Sequence, residues 1–461
     1  MGHDQTIVET RKWMNFMANS ENRIRNVLIV SFQFPPFNNA GALRIGKMAK
    51  YLTEFGWRPM LLTSEVNEDL PQALPVETDL GNIKRMPFYS ISDLFTEQTH
   101  SEKSNSPILN GKKDKGCKVN IVTIMRLFRL IYTLPIIERL VFEPIGWYRN
   151  AIRGGLEIIK EQKIDVIYSS FGPSVSHFVA SVLQRKTGIP WIAEFRDPWS
   201  FNVLVRKVRP FNFFERKLEE WTIKHCNLIV TISKILADRL EKLHSKEVVV
   251  IPNGFDDEDY LENIQLTHKF TITYTGHVYH GKGAPNPFFE AVAELMQEGM
   301  ISSENFEIRF LGSNNKQTIF NLTEKYNLSK VVDFRGFVSL KESIKMQKES
   351  TVLLLLSWYG PDGAGVLPSK LFEYMGAKRP ILALAFRNGE TDNLLQQSGC
   401  GVVANEIEEI KDILKKWIIE FKQNGEITLH YSPQKEVIMN YTRRKQASLL
   451  VDNFYKVIND N

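Results

Sequence analysis

The residues best suited to chemistry lie in WYGPDGAGVLPSKLFEYMGAKRPILA, Trp358–Ala383. A glycine-containing loop runs into a helical pattern whose first turn holds Pro368, Ser369 and Lys370. The first N–H groups of a helix have no internal partner and lie at the positive end of its dipole, so an anion is favoured there. Lys370 adds a full positive charge at the same place, and Glu373, three residues on, shares its face. A lysine for phosphate and a carboxylate for ribose hydroxyls would make a nucleotide-diphosphate site. An ordinary helix with an exposed Lys–Glu pair is spelled the same way, so the residues alone leave both readings open.

Three further stretches carry polar groups after apolar runs. In YTGHVYHGKGAPNP, Tyr274–Pro287, the small Gly276 lets a ligand approach the backbone, and Lys282 between two glycines can reach a phosphate. His277 and His280 have no carboxylate or cysteine at metal-ligand spacing, so they read as hydrogen-bonding loop residues and no metal site is expected. In GIPWIAEFRDPWS, Gly188–Ser200, Arg196 and Asp197 follow a buried strand and either orient an acceptor hydroxyl or phosphate, or pair with each other and fix the loop. In FPPFNNAGALR, Phe34–Arg44, backbone amides around Asn38, Asn39, Ala40 and Gly41 face the same side, with Arg44 close behind. Tight strand–helix packing explains those small residues equally well. GxGxxG and P-loop patterns are absent, which argues against a nicotinamide or flavin dinucleotide site.

The elements that position these residues alternate strand and helix. NVLIVSF (26–32) and PMLLTS (59–64) flank a helical pattern at 45–55. IDVIYS (164–169), PWIAEF (190–195), LIVTI (228–232) and EVVVI (247–251) follow, with helices at 174–187, 214–225 and 234–243 between them. The polar stretch 256–269 reads as a linker. A second series, 270–276, 306–312, 331–336, 351–357, 380–385 and 401–404, repeats strand-then-glycine, with helices at 286–299 and 369–377. The fold class is therefore α/β, with two Rossmann-like doubly wound domains facing a central cleft.

The 461 residues suffice for two such domains, and 43% hydrophobic with 24% charged residues excludes a disordered or collagenous chain. The net charge of +5, with no basic stripe interleaved with aromatics, does not support a nucleic-acid partner. Cys117, Cys226 and Cys400 are too dispersed for a disulfide framework, which favours a reducing, cytoplasmic setting. No signal peptide is expected, because Asp4, Glu9, Arg11 and Lys12 occupy the place of an apolar core. The long apolar stretch within 119–147 is interrupted by Arg126, Arg129, Glu138 and Arg139, so it is not expected to span a membrane. With Lys103, Lys112, Lys113, Lys115 and Lys118 ahead of the apolar stretch, the region 96–147 reads either as a mobile basic loop and apolar-basic helix on an anionic membrane, or as a helix packed on its domain beside a solvated loop.

Together these segments resemble glycosyltransferase family 4, of the GT-B fold, from Val27 to about Phe454. NVLIVSFQFPPFNNAGALRIGKMAKYLTEFGWRPMLLTS resembles the family's opening strand, acceptor-side loop and helix. GIPWIAEFRDPWS resembles a bacterial subgroup with an FRDPW element, and VVVIPNGFD the domain-linking strand. YTGHVYHGKG resembles the donor-phosphate loop, LPSKLFEYMGAKRPILA the donor-ribose motif, and YTRRKQASLLVDNFYKVI a terminal helix that crosses back to the first domain.

The resemblance implies an extension at 1–24, an acceptor domain at 25–262, a nucleotide-sugar donor domain at 263–435 and a crossover helix at 436–461. It implies a retaining transferase that needs no metal or other cofactor. Lys282 and Lys370 would hold the donor diphosphate, Glu373 the ribose, and Gly41 would lie near the reacting sugar. Arg196 and Asp197 would fall on the acceptor side, and Gly276, His277 and Ser369 around the phosphates. The family's fuller motif carries a second glutamate eight positions before Glu373, where this sequence has Gly365. Backbone N–H groups of Gly365, Val366 and Leu367 would then take its place, or the contact is missing. The expected partners are a nucleotide-sugar donor and a glycan or polyprenyl-linked acceptor of surface polysaccharide synthesis, at the inner face of the cytoplasmic membrane. The alternatives are a sugar-nucleotide-binding scaffold and a GT-B epimerase.

Overall fold

The computed structural model describes residues 23–66, 74–88, 145–201, 211–278, 283–312 and 316–460. The extension at 1–24 therefore lies almost wholly outside the described residues. So do Lys282 and all of the 96–147 region before Ile145.

The first sheet contains β1 (Arg25–Val30), β2 (Trp57–Ser64), β3 (Ile83–Met86), β4 (Val166–Ser170), β5 (Trp191–Phe195), β6 (Leu228–Thr231) and β7 (Val248–Val250), in the order β3-β2-β1-β4-β5-β6-β7. The second contains β8 (Phe270–Thr275), β9 (Phe306–Leu311), β10 (Val332–Gly336), β11 (Val352–Leu356), β12 (Ile381–Leu384) and β13 (Gly401–Val403), in the order β10-β9-β8-β11-β12-β13. Every paired strand among these is parallel. Strands such as Val352–Leu356 are buried throughout, as helices on both faces require. In register, Val30 of β1 stands beside Leu62 of β2 and Ser169 of β4, so the loops leaving these strands open on one side.

Helix α1 (Ala40–Leu52) begins earlier than the expected 45–55. Asn39 is extended (φ −149°) and its side-chain oxygen accepts the Ala42 N–H at 2.9 Å. That cap starts the helix through Ala40 and Gly41, which by composition alone look like loop. Further helices of the first domain are α2 (Ile145–Glu161), α3 (Val175–Thr187), α4 (Phe211–Ile223) and α5 (Lys234–His244). Those of the second are α6 (Asn286–Gln297), α7 (Lys316–Lys325), α8 (Leu340–Glu349), α9 (Ser369–Ala377), α10 (Glu390–Ser398), α11 (Ile407–Asn424) and the short α12 (Lys435–Met439). Helix α13 (Arg443–Asn459) then returns to the first sheet. Its Ala447, Leu450, Val451, Phe454 and Val457 complete a core made with Val27, Ile29, Tyr51, Trp57 and Tyr168. The rings of Phe454 and Trp57 lie 4.9 Å apart.

The chain crosses between the sheets twice, side by side. The Phe255 N–H donates to Tyr441 O at 3.0 Å, and the Arg443 N–H to Phe255 O at 2.8 Å. Gly254 permits this approach, since a Cβ there would stand 2.2 Å from Tyr441 O. The polar stretch after it is not the free linker that its composition suggests. Asp256 is buried, accepting from Tyr51 Oη at 2.5 Å and pairing with Lys47 at 2.7 Å and Lys50 at 3.2 Å. Burial works to raise the Asp256 pKa, but hydrogen bonds from Lys47 and Tyr51 outweigh it and hold the carboxyl below its ordinary value. Polar residues are thus concentrated here because α1 supplies their partners.

A buried ion pair fixes the same corner. Arg44 and Glu194 are fully enclosed, with Arg44 Nε 2.8 Å from Glu194 Oε1. Arg44 also donates to Ile251 O at 2.8 Å and Pro252 O at 2.7 Å, where the chain leaves the first sheet. Ser170 Oγ donates to the other Glu194 oxygen at 2.7 Å.

Candidate functional site

A cleft of about 290 Å³ lies where the carboxyl ends of β5, β6 and β11 face one another. One wall carries Ala40, Arg196, Asp197, Ser233, Ile235 and Arg239; the other carries Ser357, Trp358, Gly365, Val366, Leu367, Ser369 and Lys370. A larger hollow of about 540 Å³ at the β13 edge, among Arg387, Gln396, Val402 and Tyr431, contains none of the residues singled out by sequence. We therefore place the site in the cleft.

Lys370 is half-buried in the first turn of α9 and makes no ion pair with Glu373 among the described residues. It turns instead to the end of β8. Its Nζ donates to Tyr274 Oη at 3.2 Å and stands 4.9 Å from the centre of that ring. Gly276, at φ +102°, supplies the room: a Cβ there would meet Lys370 Cε at 2.4 Å. Helix and strand are tied together by the Thr275 N–H, which donates to Tyr374 Oη at 2.9 Å. The exposed Lys–Glu pair is thereby excluded, and the ammonium is held over a glycine at a helix N-terminus. Burial pushes the Lys370 pKa down to about 8, with the charge of Glu373 opposing. A bound diphosphate favours the protonated lysine. Nucleotide-diphosphate affinity is therefore expected to decline as pH rises through about 8, with proton uptake on binding above that value. Calorimetry in buffers of different ionisation enthalpy checks this; pH-independent affinity between pH 7 and 9 would remove Lys370 from the phosphate contact.

Glu373 lies behind Lys370 and is half-buried. It lines a small cavity with Arg443, Lys47, Asp256 and Asp259. Burial raises its pKa, while Lys370 and Arg443 oppose the rise. Arg443 is itself buried at the first residue of the crossover helix, so the Glu373 corner of the site adjoins the place where the chain crosses between the sheets. His277 is exposed, and its backbone oxygen accepts from Tyr274 Oη.

On the opposite wall, Arg196 and Asp197 form no ion pair among the described residues. Arg196 Nε donates to Ser170 Oγ at 3.1 Å and Phe171 O at 2.9 Å, so the guanidinium folds back over the β4 end. It fits between two glycines: a Cβ on Gly41 would stand 2.0 Å from Arg196 Nη1, and one on Gly172 2.4 Å from Nη2. Gly41 is thus needed for the arginine's position. Asp197 is exposed at the cleft rim.

Residues that the sequence did not single out join the two walls. Glu390, at the start of α10, accepts the Ile235 N–H at 2.7 Å and the Lys234 N–H at 3.2 Å, capping α5 of the first domain. Its own N–H donates to Ala364 O at 2.8 Å. The loop beside it carries Gly365, whose added Cβ would meet Ile235 Cγ2 at 2.9 Å. A glutamate at 365 would collide with Ile235 in this arrangement of the domains. Ser233 before α5 is an N-cap signal readable in sequence; the contact with Glu390 is not.

Two family models match consecutive parts of this chain: Glycosyltransferase Family 4 over residues 110–259 and Glycosyl transferases group 1 over residues 256–426. The chain is a GT-B glycosyltransferase of the family 4 type. Among solved structures, this transferase is similar to sucrose-phosphate synthase from Thermosynechococcus elongatus. That likeness has a TM-score of 0.62 at 12% identity, over 95% of this chain and 100% of that one. It is also similar to Anabaena HepE in complex with UDP, with a TM-score of 0.59 at 10% identity over 94% and 100%. At such identities the likeness shows the shared fold. Protein CapJ of Staphylococcus aureus is 21% identical over 179 residues, 37% of this chain and 44% of CapJ. The chain thus matches less than half the length of that curated relative. Among the described residues, no helix of the transferase is long and apolar enough to cross a membrane.

Proposed function

We propose that the transferase moves a sugar, with retention of configuration, from a nucleotide-diphosphate sugar to a glycan or polyprenyl-linked acceptor in surface polysaccharide synthesis. The observation that carries the donor half is Lys370, held over Gly276 at the N-terminus of α9 on the cleft wall. That arrangement suits the negative charge of a departing nucleoside diphosphate. HepE, which shares the fold, is described in complexes with UDP and with UDP-glucose. Lys370 and the backbone N–H of Ser369 would stabilise the leaving group, Lys282 would add to them, and Glu373 would hold the ribose. The donor phosphate accepts the acceptor's proton in this reading, which requires neither a protein nucleophile nor a metal. The acceptor half rests on the resemblance of the FRDPW segment and places Arg196 and Asp197 beside the incoming hydroxyl. It puts the protein in the cytoplasm, at the inner face of an anionic membrane.

A second reading is favoured by one observation, the Gly365–Ile235 contact where a glutamate would otherwise reach the donor sugar. It makes the chain a nucleotide-sugar binder within an assembly complex. Thermal unfolding with UDP, GDP, ADP, TDP and CMP, on wild type and Lys370→Ala, tests the donor site. Stabilisation by one nucleotide, lost in the variant, supports it; no stabilisation by any would overturn it. Turnover of the matching sugar nucleotide separates transferase from binder.

A further inference from the structure

Among the described residues, helix α4 presents a largely exposed face. Phe213 is 61% exposed, Phe214 62%, Leu218 41% and Trp221 51%. At 3.6 residues per turn these four and Lys217 fall within one arc of about 140°. Lys224, one residue past the helix, continues the arc and is exposed. Arg185, from the end of α3, lies over the Trp221 ring at 4.7 Å.

The carboxylates of α4 avoid this arc. Glu219 is fully buried, accepting the Ser200 N–H at 2.8 Å and facing His244 Nε2 at 3.1 Å. Glu220 sits at the border, held by Arg216 at 2.9 Å and Lys217 at 2.7 Å. Glu215 is half-buried. The exposed face is therefore aromatic, with Lys224 exposed in it, Arg185 over one ring, and Lys217 shared with the Glu220 carboxylate at its border. Lysines between aromatic rings are poor material for the dry centre of a protein interface. They suit a lipid surface, where rings enter the headgroup boundary and ammonium groups reach anionic phosphates.

We propose that the exposed face of α4 docks this protein on an anionic membrane surface. The proposal rests on the membrane association read above, names the surface for it, and is separate from the donor site. The helix follows the β5 loop that bears Arg196 and Asp197, so its first turn lies at the end of the domain where the cleft opens. Docking there would bring the acceptor wall to the plane of the lipid headgroups.

Sedimentation of the full chain with vesicles tests this. Phosphatidylcholine alone and phosphatidylcholine mixed with phosphatidylglycerol are compared, with Phe213→Ser/Trp221→Ser and Lys217→Gln/Lys224→Gln as variants. All four side chains are exposed, so melting temperatures should match wild type. The expected result is binding to the mixed vesicles only. The aromatic variant should bind on the order of tenfold more weakly, and the lysine variant should lose salt sensitivity. A wild type that ignores both vesicles overturns the membrane reading as a whole. Binding that neither variant changes overturns the assignment to α4. A variant that loses self-association instead of lipid binding shows that a second copy covers the face, and overturns it too.

Discussion

Lys370→Ala is expected to lower sugar transfer by about 100- to 1,000-fold, the effect of removing one preorganised donor from developing negative charge, roughly 2.7–4 kcal/mol. The geometry makes the loss specific. Lys370 Nζ touches the Tyr274 hydroxyl and ring and has no carboxylate as an ion-pair partner among the described residues, so its charge is available to a ligand. The alanine leaves Tyr274 and the Thr275–Tyr374 bond intact, so α9 should stay docked on β8. Steady-state transfer and nucleotide affinity should both fall, with little change in melting temperature. A variant that transfers sugar at nearly the wild-type rate would show that the leaving group lies elsewhere.

The largest effect on stability is expected at Arg44. Arg44→Met leaves Glu194 enclosed without its ion-pair partner, and breaking one side of such a pair costs about 3–5 kcal/mol. The guanidinium also satisfies the carbonyls of Ile251 and Pro252, which lose their donors in the variant. Adding Glu194→Gln removes the stranded charge, so the double variant should recover part of the loss. Denaturant unfolding of wild type, single and double variants measures the coupling. A single variant within about 1 kcal/mol of wild type would mean that water or another cation reaches Glu194, against the full burial of the pair.

The two sheets were legible because parallel strands buried on both faces read as unbroken apolar runs such as VLLLL. Strand β3, IKRM, escaped notice because it is a short edge strand whose central positions are polar. Helix α8 was missed although SLKE at 339–342 has the spelling of a capping box, and Ser339 Oγ does accept the Glu342 N–H at 3.2 Å. The site followed the same division. Ser369, Lys370 and Glu373 share one helix, so their spacing could be read along the chain. The Glu390–Ile235 hydrogen bond joins residues far apart in sequence through backbone N–H groups, which carry no residue-type signal. The polar run 256–269 does join the two sheets, but its packing was hidden for a related reason: composition cannot tell charges that face water from charges that face Lys47, Lys50 and Tyr51.

Helix α13 has a consequence for biosynthesis. The first sheet is synthesised first, but its core is finished by Ala447, Leu450, Val451, Phe454 and Val457, which emerge only after the whole second sheet. Until then Trp57 and Tyr168 lack the Phe454 ring that both pack against in the folded chain. The core of the first domain is therefore complete only once α13 has been made. The domain translated first is the one whose core is completed last.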